Sequence, residues 1–263
     1  MPIIGVNTHI DFPNSAYTDL DRVIRCVRYL GVRHLRDSAQ APDTVHKWAA
    51  AAAEAGVKFC AYLPMGSPDH VQKCIQYWPA ITAAGIIDLY EAPNEPDTGA
   101  SVEGGGTIEE AVRITTDYAE PYVRSIGASL VNISVGSGWT ADDGWQGNYD
   151  ALPDMTAWCA YGNAHTYPGV GQEVITTMAM LNDLARLSMP HDPVMTTELG
   201  WDIALGHNPD QIAADIKTMS QSDLNPRVYL YALFDDPGNL FGLFDNDGTP
   251  RPGANAVRAA IKR

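Results

Sequence analysis

No run of about 18 consecutive apolar residues occurs in this chain, so no segment is expected to cross a bilayer as a helix. Positive charge is scarce. Seventeen Lys and Arg stand against 32 Asp and Glu, a formal net charge of -15. Such a surface repels phosphate backbones and anionic lipid, which argues against a nucleic-acid or membrane partner. Acidity of this kind equally serves solubility alone. The opening Met1-Pro2-Ile3-Ile4-Gly5-Val6 carries neither a basic n-region nor a signal-like apolar h-region, and reads as a strand. The expectation is a cytoplasmic protein, or a secreted or periplasmic one from which a signal has been removed.

Cysteine is limited to Cys26, Cys60, Cys74 and Cys159, with no C-x-x-C, so zinc ligation is not expected. Two disulfides or four buried thiols are both compatible with this number. Cys60 and Cys74 are the pair to test first, because a strand and its following helix are neighbours. Several other signatures are missing. There is no G-x-G-x-x-G after the first strand, no G-x-S-x-G elbow and no H-E-x-x-H. Dinucleotide binding, a serine-hydrolase elbow and metal-assisted hydrolysis therefore lack their usual residues, and no cofactor or metal is expected. Asp245-Asn246-Asp247-Gly248 lacks the spaced ligands and distal Glu of a calcium loop and reads as a turn. Gly104-Gly105-Gly106 reads as a flexible loop.

What the chain does have is alternation. Strand-like runs fall at 3–10, 31–38, 58–64, 87–95, 131–138, 160–167, 194–201 and 228–236, with helical patterns between them. In the first of these, Leu20, Val23, Ile24, Val27 and Leu30 recur at spacings of three and four, and Gly31 ends the run. Thr107-Ile108-Glu109-Glu110 is a capping box opening a helix that stops near Gly127. Gly56 and Gly85 mark the ends of the second and third helices. The stretch 139–159 is loop-like. Eight βα units in 263 residues argue for one domain over 1–263, a single (β/α)8 barrel with short loops. A doubly wound open sheet is the alternative.

In such a barrel, chemistry sits at the C-terminal ends of the strands. Polar residues concentrate there: His9 on the first run, Arg36 and Asp37 on the second, Asn94 and Glu95 on the fourth, His165 and Tyr167 on the sixth, and Glu198 on the seventh. Two carboxyls held across one cavity can do acid/base and nucleophilic work on a glycosidic bond. For His9, sugar binding and packing are equally supported. Asp37 reads as structural. Glu91, four residues before Glu95 on the same strand face but deeper, reads as its support or as a partner of Arg36. Trp139 and Trp145 in the fifth loop, and Trp201 after Glu198, offer flat rings suited to sugar faces or to core packing.

Taken together, Asn94-Glu95-Pro96, Glu198, Arg36 and His165-Thr166-Tyr167 resemble the pattern of clan A glycoside hydrolases, the retaining (β/α)8 superfamily, with families 39 and 5 as the nearest likenesses. The run 241–252 resembles the segment that closes many of those barrels. The resemblance implies Glu95 as acid/base and Glu198 as nucleophile. It implies Arg36 and Tyr167 as partners that hold Glu198, and Asn94 and His165 as further substrate-site residues. Asn94 is positioned to reach a sugar 2-hydroxyl. One departure is plain. The eighth strand of that superfamily often ends in a Trp beneath the reactive sugar, and Leu230-Tyr231-Ala232-Leu233-Phe234 has none. Phe234 or Trp201 is the expected substitute.

The expected activity is a retaining glycoside hydrolase, endo-acting on a β-linked polysaccharide because short loops leave the cleft open. Exo action, transglycosylation and a non-catalytic carbohydrate-binding barrel are the alternatives. An isomerase or aldolase would want a strand-borne catalytic Lys or a metal cluster, and Lys58 stands at the wrong end of its strand. The expected partner is an oligo- or polysaccharide, and the expected state a monomer.

Overall fold

Apolar periodicity and glycine stops shape the first helix, Leu20–Leu30 (α1). Val23, Ile24, Cys26, Val27 and Leu30 are its buried face, Asp19 caps its first turn, and Gly31 ends it at φ +80°. That left-handed turn costs glycine little. The computed structural model describes residues 1–64, 67–98, 107–136, 149–236 and 238–262. Its strands are β1 (Ile3–Asn7), β2 (His34–Asp37), β3 (Lys58–Leu63), β4 (Ile87–Pro93), β5 (Leu130–Val131), β6 (Gly162–Thr166), β7 (Val194–Gly200) and β8 (Arg227–Tyr231). They form one eight-stranded parallel sheet in the order β5-β4-β3-β2-β1-β8-β7-β6. A bridge between Val131 and Tyr161 joins β5 to the β6 side. The sheet is thus a nearly closed (β/α)8 barrel.

The other helices lie outside the barrel: α2 (Pro42–Ala55), α3 (Pro68–Ile75), α4 (Trp78–Ala83), α5 (Ile108–Ile114), α6 (Glu120–Ser125), α7 (Val174–Ala185), α8 (Pro209–Met219) and α9 (Pro252–Ile261). The third helical stretch is split into α3 and α4, with Pro79 at the start of the second piece, where its missing N–H costs nothing. The fourth begins with the Thr107–Glu110 capping box and passes through a π segment, Thr115–Ala119, before α6. No helix among the described residues is long and apolar enough to cross a membrane.

Strand alternation explains the cysteines. On β3, Phe59 faces outward and stacks on Trp48 of α2 with ring centroids 4.3 Å apart. Cys60 faces the barrel interior with Leu89, Val131, Met195 and Tyr229. Cys74 lies on α3 in the outer layer. The two therefore stand on opposite sides of the sheet, and all four cysteines are free and buried. The Cys60–Cys74 bridge is corrected on this ground, and the buried-thiol reading is the one found. Inside the barrel Gly5 matters, since a Cβ there would collide with the ring of Tyr229.

Candidate active site

Arg36 organises the layer above this apolar interior. Its side chain is fully buried, and a buried charge of this kind persists only when paired. Nε and Nη2 donate to the two oxygens of Glu91, at 2.7 Å each. Nη1 donates to Asn7 at 2.8 Å and to Glu198 Oε1 at 2.6 Å. Nη2 also reaches Asn94 Oδ1 at 2.6 Å. The guanidinium lies 4.2 Å from the centroid of the Tyr62 ring. Glu91 in turn accepts from Asn163 at 3.0 Å and Thr197 at 3.1 Å. Its sequence position suggested a support or an Arg36 partner, and the fork to Arg36 is what the geometry provides.

Glu198 reaches this layer because β7 is irregular. The register against β8 shifts between Thr196 and Leu199. A bulge of this kind re-aims side chains, so that Thr197 and Glu198, though consecutive, both find interior partners. Glu198 Oε1 is held by Arg36, and Oε2 accepts from the hydroxyl of Tyr167. Gly200 makes room for that tyrosine, since a Cβ there would lie 2.9 Å from its ring.

Glu95 approaches from β4. Its backbone N–H donates to Ser134 O at 3.0 Å, and its φ is +41°, in the left-handed region that non-glycine residues rarely adopt. The side chain meets His165 Nδ1 at 2.6 Å. His165 Nδ1 is also 3.5 Å from Glu198 Oε2, while Nε2 lies 3.0 Å from Thr197 Oγ1. One imidazole thus stands between the two carboxyls. A carboxylate oxygen of each, together with a His165 nitrogen, all lie within 4.8 Å of one another.

The charges are set by this arrangement. Burial alone raises the Glu198 pKa, but His165, Arg36 and the Tyr167 hydroxyl outweigh it and hold the carboxyl below its ordinary range. Burial works against protonation of His165, and Glu198 with Glu95 outweighs it, so the imidazole sits above its ordinary value. Asp97, just beyond Glu95, is pushed up to about 6 chiefly by burial, and its Oδ1 accepts from Gly136 N–H at 2.8 Å.

Glu95, Glu198, Arg36, Asn94, His165 and Tyr167 are therefore brought together. Others are not. Trp201 is buried and lines a crevice with Val174 and Ile175 of α7 and Asp215 and Thr218 of α8, behind the barrel wall. Phe234 is wholly buried, edge-on to Tyr17 and Phe244. Neither floors the space beside the carboxyls. Among the described residues, Tyr231 at the end of β8 stands next to Tyr167, with ring centroids 6.0 Å apart, and 5.3 Å from the ring centroid of Phe241. Its peptide bond to Ala232 is cis. Trp139 and Trp145 lie outside the described residues. Asp37 is structural: its carboxylate accepts from Thr8 Oγ1 and from the Ile10 and Ser38 amides. Asn7, Asn163 and Thr197 escaped the sequence reading. Their signal was available, since Asn inside a buried strand disfavours that strand unless its amide is paired.

Among the described residues, Glu95, His165 and Glu198 are the group close enough to share a metal ion. The fit is poor. The Arg36 guanidinium already takes one oxygen of Glu198 and Tyr167 the other, so an added cation would face a fixed positive charge at hydrogen-bond distance.

Comparison of the fold with solved structures gives glycoside hydrolases with clan A-type barrels. The GH5_18 protein from Streptomyces cattleya, in complex with GlcNAc, superposes with a TM-score of 0.73 at 16% identity, covering 100% of this chain and 80% of that one. A GH39 β-xylosidase from Caulobacter crescentus gives 0.67 at 13%, covering 99% and 71%. A GH128 (subgroup VII) oligosaccharide-binding protein from Trichoderma gamsii gives 0.62 at 15%, covering 99% and 94%. At these identities the likeness is one of architecture. No family model matches the sequence, and no curated protein matches it.

Proposed function

We propose that the protein is a retaining glycoside hydrolase that cleaves β-linked polysaccharide internally by double displacement. The observation that carries this reading is the Glu95–His165–Glu198 arrangement, with carboxylate oxygens inside 4.8 Å and unlike partners on the two acids. Retaining enzymes hold their carboxyls about 5–5.5 Å apart and inverting ones about 6.5–9.5 Å, leaving room for a water. The close approach of one oxygen from each carboxyl supports the shorter gap and direct attack.

Glu198, held ionised by Arg36 and Tyr167, attacks the anomeric carbon. Glu95 protonates the departing oxygen, the C–O bond breaks, and a glycosyl ester forms on Glu198. The contact of 2.6 Å between Glu95 and His165 Nδ1 fixes the orientation of the carboxyl. Glu95 then takes a proton from water, which attacks the anomeric carbon and releases Glu198. Asn94 Oδ1 is committed to Arg36 and Ser134, which leaves the donor end of its amide for a sugar hydroxyl. The connection from β2 to α2 (38–41) is short. A low wall on that side suits a continuous chain and supports internal cleavage over action at chain ends.

A panel of β-linked polysaccharides, with product lengths read by mass spectrometry, tests both class and mode. Proton NMR of the first product is expected to show the retained anomer, and an inverted product contradicts double displacement. Glu95→Ala is expected to slow natural glycosides by about 10²- to 10⁴-fold and nitrophenyl glycosides far less. Equal losses on both would remove Glu95 from the acid role. If polysaccharide binds and is never cleaved, the binding-barrel reading takes its place, a role for which the fold has a precedent in the oligosaccharide-binding neighbour.

Tyr167→Phe is expected to lower kcat by roughly 10- to 150-fold, from about 1.5–3 kcal/mol for a hydrogen bond to a charged group. Losing that donor lets the Glu198 pKa rise. Since Glu198 acts ionised, the acidic limb of the kcat/KM profile should move to higher pH. An unmoved limb would mean that Tyr167 does not hold the nucleophile.

A further inference from the structure

Beside Glu198, on the β8–β1 side of the barrel mouth, the described residues leave a second set of polar atoms without partners. His9, just past the end of β1, is 6% exposed. Its ring lies flat on Phe12, centroids 4.5 Å apart, and edge-on to Tyr17 and Tyr231. Neither ring nitrogen has a hydrogen-bond partner among the described residues. Asp236 follows β8. Its Oδ2 accepts from the Tyr231 hydroxyl at 2.5 Å, while its Oδ1 is buried and unpartnered. Three buried polar atoms without partners destabilise the fold, and a phenyl ring at position 9 would pack the same aromatic cage without two of them. The cluster therefore has a binding chemistry rather than a packing one.

Its geometry indicates the ligand group. His9 Nε2 is 3.8 Å from Asp236 Oδ2, too long for a direct hydrogen bond. One oxygen about 2.8 Å from each bridges that gap. A hydroxyl there accepts from the imidazole N–H and donates to Oδ2, which it shares with the Tyr231 hydroxyl. Tyr231 carries the cluster to Tyr167 and so to Glu198. In the proposed reaction the leaving oxygen departs beside Glu95 on β4. Glu198 stands on β7, whose neighbours on the side away from β6 are β8 and then β1, the strands that carry the cluster.

We propose that His9 and Asp236 form a specificity-determining subsite that binds one ring hydroxyl of the sugar whose anomeric carbon reacts. Burial lowers the His9 pKa against the pull of Asp236 and Glu198, so the imidazole is neutral near pH 7 and offers one donor and one acceptor. The carboxylates of Asp236 and Glu198 beside it repel an anionic substituent. The subsite selects a neutral hydroxylated sugar over its deoxy counterpart and over a uronate.

The subsite rests on the glycosidase reading, and the test separates the two. Wild type, His9→Phe and Asp236→Asn are assayed on whichever nitrophenyl β-glycoside the protein cleaves, and on that glycoside's 2-, 3-, 4- and 6-deoxy analogues. His9→Phe keeps the ring stack and removes only the nitrogens. Urea midpoints confirm that each variant is folded, and the His9 Cε1 proton of wild type is followed by NMR as the corresponding methyl glycoside is added. Each variant is expected to lose roughly 10- to 150-fold in kcat/KM on the parent sugar, the loss falling mainly on KM. One deoxy analogue should be poor for wild type by a similar factor, with no further loss in the variants, and the His9 resonance should shift on binding. If turnover depends on Glu198 while both variants match wild type, or lose equally on every analogue, the subsite is overturned and the glycosidase reading stands. A bridging water without discrimination among the analogues overturns it as well. If no glycoside is cleaved or bound, the glycosidase reading fails and takes this inference with it.

Discussion

Glu198→Ala is expected to abolish turnover, with kcat falling on the order of 10⁴- to 10⁶-fold, the scale seen when a covalent nucleophile is removed. The fold should survive, because Glu198 is the smaller share of Arg36's coordination and the fork to Glu91 remains. The variant leaves an opening beside the anomeric carbon that a small anion fills. Added azide should restore part of the turnover on a nitrophenyl glycoside and yield a β-glycosyl azide of retained configuration only if it attacks a covalent intermediate. Attack on the substrate itself, with the nucleophile gone, gives the α-azide of inverted configuration. The α-azide from this variant is the expected product. Full activity of Glu198→Ala would end the nucleophile assignment and leave Arg36 and Tyr167 as structure alone.

The second large effect is on stability. Arg36→Met strands Glu91 as a buried anion without its counter-charge and leaves Glu198 to His165 and Tyr167 alone, which costs about 3–5 kcal/mol. Urea denaturation should show a large fall in midpoint. Arg36→Lys should be intermediate, because an ammonium keeps the charge and loses the fork. The pH dependence distinguishes this from a mere packing defect. In wild type the folded Glu198 pKa is depressed, so its contribution is present above the unfolded pKa and lost as pH falls through the folded one. In Arg36→Met the loss of the guanidinium lessens the depression of Glu198, so the variant should lose less stability than wild type as pH falls below the ordinary value of 4.5. A variant as stable as wild type, or one losing stability in parallel with it on acidification, would show that the network does not hold the barrel interior together.

The barrel was legible because its punctuation is local. Gly31, Gly56, Gly85 and Gly127 all carry positive φ where helical runs end, and the Thr107 capping box opens a helix where the pattern places it. The positions of Arg36, Asn94, Glu95, His165, Tyr167 and Glu198 at strand ends were legible for the same reason. Which way a side chain faces past a strand end was not. Trp201 and Phe234 were sought at the sugar and lie behind the wall or within the core, because bulges and turns break the two-residue alternation on which such a reading depends. Tyr231 was passed over since a Trp was looked for. The Cys60–Cys74 pairing failed on facing as well: adjacency along the chain does not decide on which side of a sheet a thiol lies.

Glu95 stands at φ +41°, a conformation that costs an ordinary L-residue roughly 1–2 kcal/mol and that Gly or Asn accept readily. Folding by itself would favour either of those residues, and both lack the carboxyl. Under the proposed function, the carboxyl's part in bond cleavage is what keeps Glu at this position, against a small but steady thermodynamic drift. A descendant of this barrel that retained sugar capture and abandoned bond cleavage would be free to follow that drift.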